Sequence, residues 1–282
     1  MLPMASFADL MELQVLGPDR FLAPAAPEPV GRMYGGQLLA QALLATQRTV
    51  EADRFPHSLH SYFLRAGNTS DPLEVAVERV RDGRAFSSRA AVVHQAGREL
   101  FRLQASFQVP EVGLDYAGPP APPVPAPEAV AMTYNEFQFG GGPVDDSFRG
   151  AVRPMDIRYV NPPPFDRTAV EAPQLLWMRI AEDLGQDPAL HTAGLAYLAD
   201  STLIDHVVLP HGLRWQDDNL DSASLDHTMW FHRPTRVDGW LLYEQFVEAT
   251  GGARGLARGR FLDRQGVLVA TCVQEGLIRV DG

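Results

Sequence analysis

The stretch Gly194-Leu-Ala-Tyr-Leu-Ala-Asp200-Ser-Thr-Leu-Ile204 is apolar or small at nearly every position, which reads as a helix buried on all sides. One carboxylate, Asp200, sits in its middle. On a helix its neighbours three and four residues away are Ala196, Tyr197, Leu203 and Ile204, so a charge there is costly unless something pairs with it or uses it. The competing reading is a cap where one helix ends and another begins, or an Asp on a solvated face.

A second helix of the same kind lies upstream. Arg32-Met-Tyr-Gly-Gly-Gln37 leads into the apolar run Leu38 to Thr46, and the glycine pair at its start implies close packing on every side. A short helix over residues 5–16 is expected before it, with Leu10, Met11, Leu13 and Leu16 on one side. β-like segments follow at His57 to Arg65, Leu73 to Arg81, Ser87 to Gln95 and Glu99 to Val109. After the helix carrying Asp200 the same pattern returns at Ser224 to His232, Gly239 to Glu248, Ala257 to Arg264 and Val267 to Gln274, with two earlier strands at Met155 to Tyr159 and Ala172 to Ala181. Landmarks keep an almost constant offset: His60 to His227 is 227 − 60 = 167, and Gly97 to Gly266 is 266 − 97 = 169. An internal duplication of one helix-plus-sheet unit accounts for this, and the economical packing wraps one antiparallel sheet around one helix, twice. The expected class is therefore α+β.

Between the halves, residues 116–127 hold six prolines in twelve positions, which excludes an element interior and reads as an extended connection. The poorly patterned stretch Tyr134 to Phe148, with Gly140-Gly-Gly142, continues it. The boundaries expected are 1–115, a linker at 116–148, and 149–282.

The chain has 282 residues, 45% of them hydrophobic, and Lys+Arg 24 against Asp+Glu 35 gives a net charge of −11. With no basic cluster, a nucleic-acid partner is not expected. The single cysteine, Cys272, excludes an intramolecular disulfide and fits a reducing compartment, so a cytoplasmic location is expected. The N-terminal residues carry Asp9, Glu12, Asp19 and Arg20 and lack a signal-peptide core, and no apolar run reaches the ~18 residues that span a bilayer. The C-terminal Arg279-Val-Asp-Gly282 is not a Ser-Lys-Leu address. The eight histidines show no metal-ligand spacing, so neither metal nor cofactor is expected.

Several blocks resemble the type II acyl-CoA thioesterases, the TesB-like bacterial enzymes and their peroxisomal relatives. In the first half these are Gly35-Gly-Gln37, His60-Ser-Tyr-Phe-Leu-Arg65, Arg81-Asp-Gly-Arg-Ala-Phe-Ser-Ser88 and Ala105-Ser-Phe-Gln108. In the second they are Leu198-Ala-Asp200, Pro210-His-Gly212, Asp226-His-Thr-Met-Trp-Phe-His-Arg-Pro234 and Gly266-Val-Leu-Val-Ala-Thr-Cys-Val-Gln-Glu-Gly276. The resemblance implies a tandem hotdog fold, its two sheets joined edge to edge, an acyl-CoA substrate and a homodimer or homotetramer. It also implies a catalytic group of Asp200, Ser224 and Gln274. Ser224 stands where the best-known members have Thr; Thr228, four residues on, is the other candidate hydroxyl, and the order Ser-Leu-Asp-His-Thr-Met-Trp favours Ser224.

The residue chemistry fits that implication in part. In strand register Gln274 shares a face with Leu268, Ala270 and Cys272, so its carboxamide needs polar partners, although a strand residue bonded to backbone is the plainer reading. An Asp, a hydroxyl and a carboxamide together can fix one water, with Asp200 as base. No Gly-x-Ser-x-Gly elbow occurs. Asp226-His227 beside Ser224 hints at a triad, but strict alternation sends neighbouring strand residues to opposite faces. Cys272 sits mid-strand in an apolar run, as a structural thiol does. Arg254, Arg258 and Arg260, in a glycine-rich segment, are candidates for coenzyme A phosphates or simply solvated, and Arg65, Arg81, Arg84 and Arg89 are no better resolved. Two other functions stay open: a hotdog-fold enoyl-CoA hydratase, for which only Asp205-His206 would supply the Asp/His pair, and a non-catalytic acyl-CoA-binding protein.

Overall fold

The computed structural model describes residues 6–25, 33–130, 153–164, 166–215, 217 and 219–281. The expected segment Tyr134 to Phe148 lies outside them.

Strand-forming segments dominate. A short helix α1 (Phe7–Leu10) starts at Ser6, whose hydroxyl accepts from the Asp9 amide. It ends six residues earlier than expected, because Leu16 belongs to a hairpin strand, β1 (Gln14–Gly17), paired with β2 (Arg20–Ala23). Helix α2 (Gly35–Gln47) is followed by β3 (Phe55–Phe63), β4 (Leu73–Asp82), β5 (Phe86–Gln95) and β6 (Arg98–Gln108). The second half runs β7 (Met155–Tyr159), β8 (Gln174–Ile180), α3 (Pro188–Ala199), β9 (Leu220–Phe231), β10 (Leu241–Gly251), β11 (Arg254–Leu262) and β12 (Leu268–Val280). All the pairings are antiparallel, in one sheet ordered β1-β2-β4-β5-β6-β3-β9-β12-β11-β10-β8-β7. The halves meet where β3 pairs β9, from Ser58↔Trp230 to Tyr62↔Asp226. This is the tandem hotdog architecture: one long sheet curled around two apolar helices.

The helices are buried because they carry almost nothing else. In α2 every residue from Gly36 to Thr46 is buried, and in α3 every residue from Ala193 to Ala199. Asp187 caps α3 by accepting from the Ala189 amide, and Pro188 occupies the first turn, where it costs no hydrogen bond. Helix meets helix at Gly36: a Cβ there would lie 2.5 Å from the Tyr197 carbonyl oxygen and 2.5 Å from the Tyr34 ring. The glycine pair thus lets the start of α2 touch the backbone of α3.

The proline segment is not a free tether. Trp177 donates to the Pro125 carbonyl, Arg158 to Pro127 and Arg260 to Pro119. Ala121, Val124 and Val130 cover a small second apolar cluster of Trp177, Trp240, Leu242 and Leu262. Lacking backbone donors, the prolines lie against the sheet through side chains and carbonyls instead of pairing with it. Among the described residues no helix is long and apolar enough to cross a membrane.

Candidate active site

Asp200 does not lie inside a helix. Helix α3 stops at Ala199, Asp200 is its C-cap, and Thr202 two residues on has φ of +66°. Apolar patterning runs through this break because the turn after the helix is itself buried: Ser201, Thr202, Leu203 and Ile204 are all enclosed. The turn is held by its own polar set. Gln245 of β10 donates to the Thr202 hydroxyl at 2.8 Å and accepts from His206, whose other ring nitrogen meets the Tyr159 hydroxyl. His206, the histidine that a hydratase reading would need beside Asp205, is therefore committed to this scaffold.

The three candidate residues come together. Gln274 Nε2 donates to Asp200 Oδ1 at 2.7 Å and to Ser224 Oγ at 3.0 Å. Gln274 is fully enclosed, while Asp200 and Ser224 are only partly buried. Desolvation pushes the Asp200 carboxyl up from its ordinary pKa; the Gln274 hydrogen bond, the charge of Arg153 and the Gly36 amide each pull it partly back. The start of α2 faces the same carboxylate: a Cβ on Gly35 would lie 2.8 Å from Asp200 Oδ2. Helix α2 has no side-chain cap at Tyr34, so its positive end points at the site uncancelled. Arg153 stacks 3.9 Å above the Tyr34 ring, whose hydroxyl donates to the Tyr197 carbonyl.

Strict alternation fails in β9, and the failure matters. The pairing runs Gln274↔His227, Glu275↔Asp226 and then Gly276↔Ser224, so Leu225 is an extra residue in a β-bulge. The bulge returns Ser224 to the face that carries Gln274 and its direct partner His227. The expectation that Ser224 and His227 face opposite ways is wrong for this reason. Thr228 stays on the other face, where its hydroxyl lies 3.3 Å from His60 Nδ1. Asp226 accepts from the Glu275 amide instead of facing His227.

The remaining candidates go elsewhere. Cys272 is buried beside the Tyr243 hydroxyl, and burial pushes its thiol up to about 12, far from a nucleophile's range. Arg254, Arg258 and Arg260 each pair with a carboxylate, Glu275, Glu248 and Glu244 respectively. Arg89 is 1% exposed and bonds Thr49, Asp82 and the Arg81 and Ser88 carbonyls, and Arg65 reaches the Glu99 carbonyl. Tyr34 and Gln245 carry no sequence signal, while His227 is weighed from the sequence only as a triad partner and His206 only as a hydratase residue. No residue type announces a bulge, and the polar set around Thr202 is scattered over β7, β10 and the turn.

Two family models match in tandem: an acyl-CoA thioesterase N-terminal domain over residues 21–108 and an acyl-CoA thioesterase C-terminal domain over residues 122–278. Acyl-coenzyme A thioesterase 8 of Homo sapiens is 36% identical, with 96% of this chain and 88% of that protein covered. Acyl-CoA thioesterase 2 of Haemophilus influenzae is 35% identical, with 88% of each chain covered. The crystal structure of acyl-CoA thioesterase II TesB2 from Mycobacterium marinum superposes with a TM-score of 0.81 at 33% identity, covering 98% of this chain and 99% of that one. With its two tandem domains, its tandem hotdog sheet and relatives that extend over nearly its whole length, the chain belongs to the type II acyl-CoA thioesterase family and is a thioesterase.

Proposed function

We propose that the chain hydrolyses fatty acyl-CoA to free fatty acid and CoA, through a water activated by Asp200 with Ser224 and Gln274. The observation that carries this reading is the Gln274 carboxamide bridging Asp200 Oδ1 and Ser224 Oγ. Ser224 accepts from Gln274 through its oxygen, which leaves its own O–H to orient a water. Asp200 takes one proton from that water as its oxygen bonds to the thioester carbonyl carbon. The uncapped start of α2 favours the negative charge that develops on the carbonyl oxygen. Collapse of the tetrahedral intermediate breaks the C–S bond, and the proton held by Asp200 neutralises the departing thiolate. Because a thiolate is a good leaving group, no strong general acid is required.

The test is thiol release from short, medium and long acyl-CoAs by the wild type and by Asp200→Asn. Wild-type turnover that falls by about 10²–10⁴ in the variant is expected for loss of a general base. Equal release by both proteins overturns the assignment of Asp200. Release by neither, with hydration of an enoyl-CoA by the wild type, overturns the reaction.

The same reading divides the chain into units 1–115 and 149–282 joined by 116–148, which the strapping of residues 119–127 onto the second half qualifies but supports. It assigns the enzyme to the cytoplasm, supported by its single buried free thiol. It also assigns a homodimer or homotetramer, supported by the exposed Tyr62 and Trp230 near the β3–β9 junction and tested by light scattering.

A further inference from the structure

The residue opposite Gln274 across the β9–β12 pair is His227, and the reaction above gives it no role. Both side chains are 0% exposed. Three buried polar atoms sit in this one place without a well-formed hydrogen bond: both ring nitrogens of His227 and Gln274 Oε1. Directly opposed residues on one sheet face have Cβ atoms about 4.5–5.5 Å apart, so an imidazole N–H reaches a carboxamide oxygen across the pair. Burial holds the imidazole down at about 4, so it is neutral with one N–H to give. Its backbone is fixed from the other side, where the Ser61 hydroxyl donates to the His227 carbonyl.

The chemistry of the carboxamide makes this contact consequential. Gln274 can present either its NH₂ or its oxygen to Asp200. Only the first is attractive, since a carboxylate accepts and a carbonyl oxygen also accepts. The chosen orientation leaves Oε1 pointing into an enclosed region, where it costs free energy unless a donor meets it. We propose that His227 is a positioning residue of the hydrolysis: its N–H meets Gln274 Oε1 and fixes the carboxamide so that both amide hydrogens face Asp200 and Ser224. The β-bulge at Leu225 is what makes this possible, because it puts Ser224, His227 and Gln274 on one face of the sheet. The inference rests on the proposed part of Gln274 in the reaction.

The test compares His227→Gln, which keeps a donor, with His227→Met, which is of similar size and has none, each alone and combined with Gln274→Ala. The Met variant is expected to lose kcat by about tenfold to a hundredfold, less than the loss of a donor that itself meets the reacting atoms, with KM little changed. The Gln variant is expected to recover most of that loss. In the Gln274→Ala background His227→Met is expected to cost almost nothing further, since the group it orients is gone. A Met variant with wild-type kcat, a Gln variant as impaired as the Met variant, or an undiminished effect in the Gln274→Ala background each overturns the proposal. If the Met variant does not fold, ¹⁵N NMR decides on the otherwise unaltered protein. The His227 N–H is expected to be one tautomer, protected from exchange, and to lose that protection in Gln274→Ala; unchanged protection overturns the proposal. Full activity of Gln274→Ala would remove the proposed catalytic group itself, while the NMR coupling of His227 to Gln274 would still be read independently.

Discussion

Gly36→Ala tests the contact between the two helices at the point where it meets the site. The added Cβ would stand 2.5 Å from the Tyr197 carbonyl oxygen, 2.5 Å from Tyr34 Cε1 and 2.6 Å from Tyr34 Cζ. Ordinary contact lies near 3.5 Å, so something has to retreat by about 1 Å. The Tyr197 carbonyl belongs to a buried helix, and the Tyr34 ring is pinned by its hydrogen bond to that same carbonyl and by Arg153 above it. The retreat therefore falls on the first turn of α2. Overpacking of this kind costs about 1–3 kcal/mol, and displacing the buried Tyr34 hydroxyl adds about 1–3 kcal/mol. The better helix propensity of Ala returns about 1 kcal/mol. A net loss of about 3 kcal/mol is expected, read as a fall of about 6–12 °C in Tm for a chain of this size. Because the Gly36 amide faces Asp200, a shift of about 1 Å is also expected to lower kcat by about a hundredfold. Thermal denaturation followed by thiol-release kinetics measures both. Gly113→Ala, where a Cβ meets nothing within 4 Å, is the control and is expected to stay within about 0.5 kcal/mol of wild type. A Gly36→Ala protein with unchanged Tm refutes the packing argument. One that loses Tm but keeps kcat refutes the link between the start of α2 and the reacting group.

Three further outcomes are expected. The acidic limb of kcat/KM lies above the ordinary aspartate value of about 3.9, since desolvation raises the Asp200 carboxyl and the base works deprotonated. Gln274→Ala moves that limb further up by removing a donor to the charged form, so a limb that moves down in a pH–rate profile contradicts the assignment. Cys272→Ser keeps kcat within about threefold, and thiol-directed reagents leave the native enzyme active, because a buried thiol held at about 12 is neither nucleophile nor target. Arg89→Met destabilises by about 1–3 kcal/mol, read from the denaturation midpoint, because the Thr49 hydroxyl and carbonyl and the Arg81 and Ser88 carbonyls lose a shared donor, while half-exposed Asp82 returns to water.

Much of the fold was legible because two periodicities were clean. Strand β5 alternates strictly between buried and less buried residues from Phe86 to Gln95, and α2 and α3 are apolar all round. Boundaries blurred where burial continued past an element. The run through Ile204 reads as helix although α3 ends at Ala199, because an enclosed turn is as apolar as the helix it terminates. Residues 5–16 read as one helix because Leu13 and Leu16 extend its spacing into a hairpin. At the candidate site, the family resemblance and a register argument point to Asp200, Ser224 and Gln274, which the fold brings into hydrogen-bond contact. His227 was set aside by a correct rule applied to a strand that breaks it. A bulge is a property of two paired strands, here the one-residue mismatch between Ser224–Asp226 and Glu275–Gly276, and neither strand alone carries its mark.

The duplication also explains why the described residues hold one such group and not two. In the second half the cross-sheet row His227–Gln274–Ala257 runs over β9, β12 and β11. The corresponding row in the first half is Leu59–Ala105–Arg89 over β3, β6 and β5, at offsets of 227 − 59 = 168, 274 − 105 = 169 and 257 − 89 = 168. The two rows exchange their polar and small members. Where the second half has a carboxamide beside an alanine, the first has an alanine beside a buried arginine. Arg89 uses that space to bond the Thr49 hydroxyl and carbonyl just past the end of α2, the place in the unit where the second half carries Asp200 just past the end of α3. The glutamines of α2 serve the same end: Gln41 donates to the Leu10 and Pro24 carbonyls and Gln37 to Pro24, tying the N-terminal segment to the helix. The first half thus stabilises with the positions that the second half gives to the group of Asp200, Ser224 and Gln274, and the start of its α2 faces the carboxylate of its neighbour.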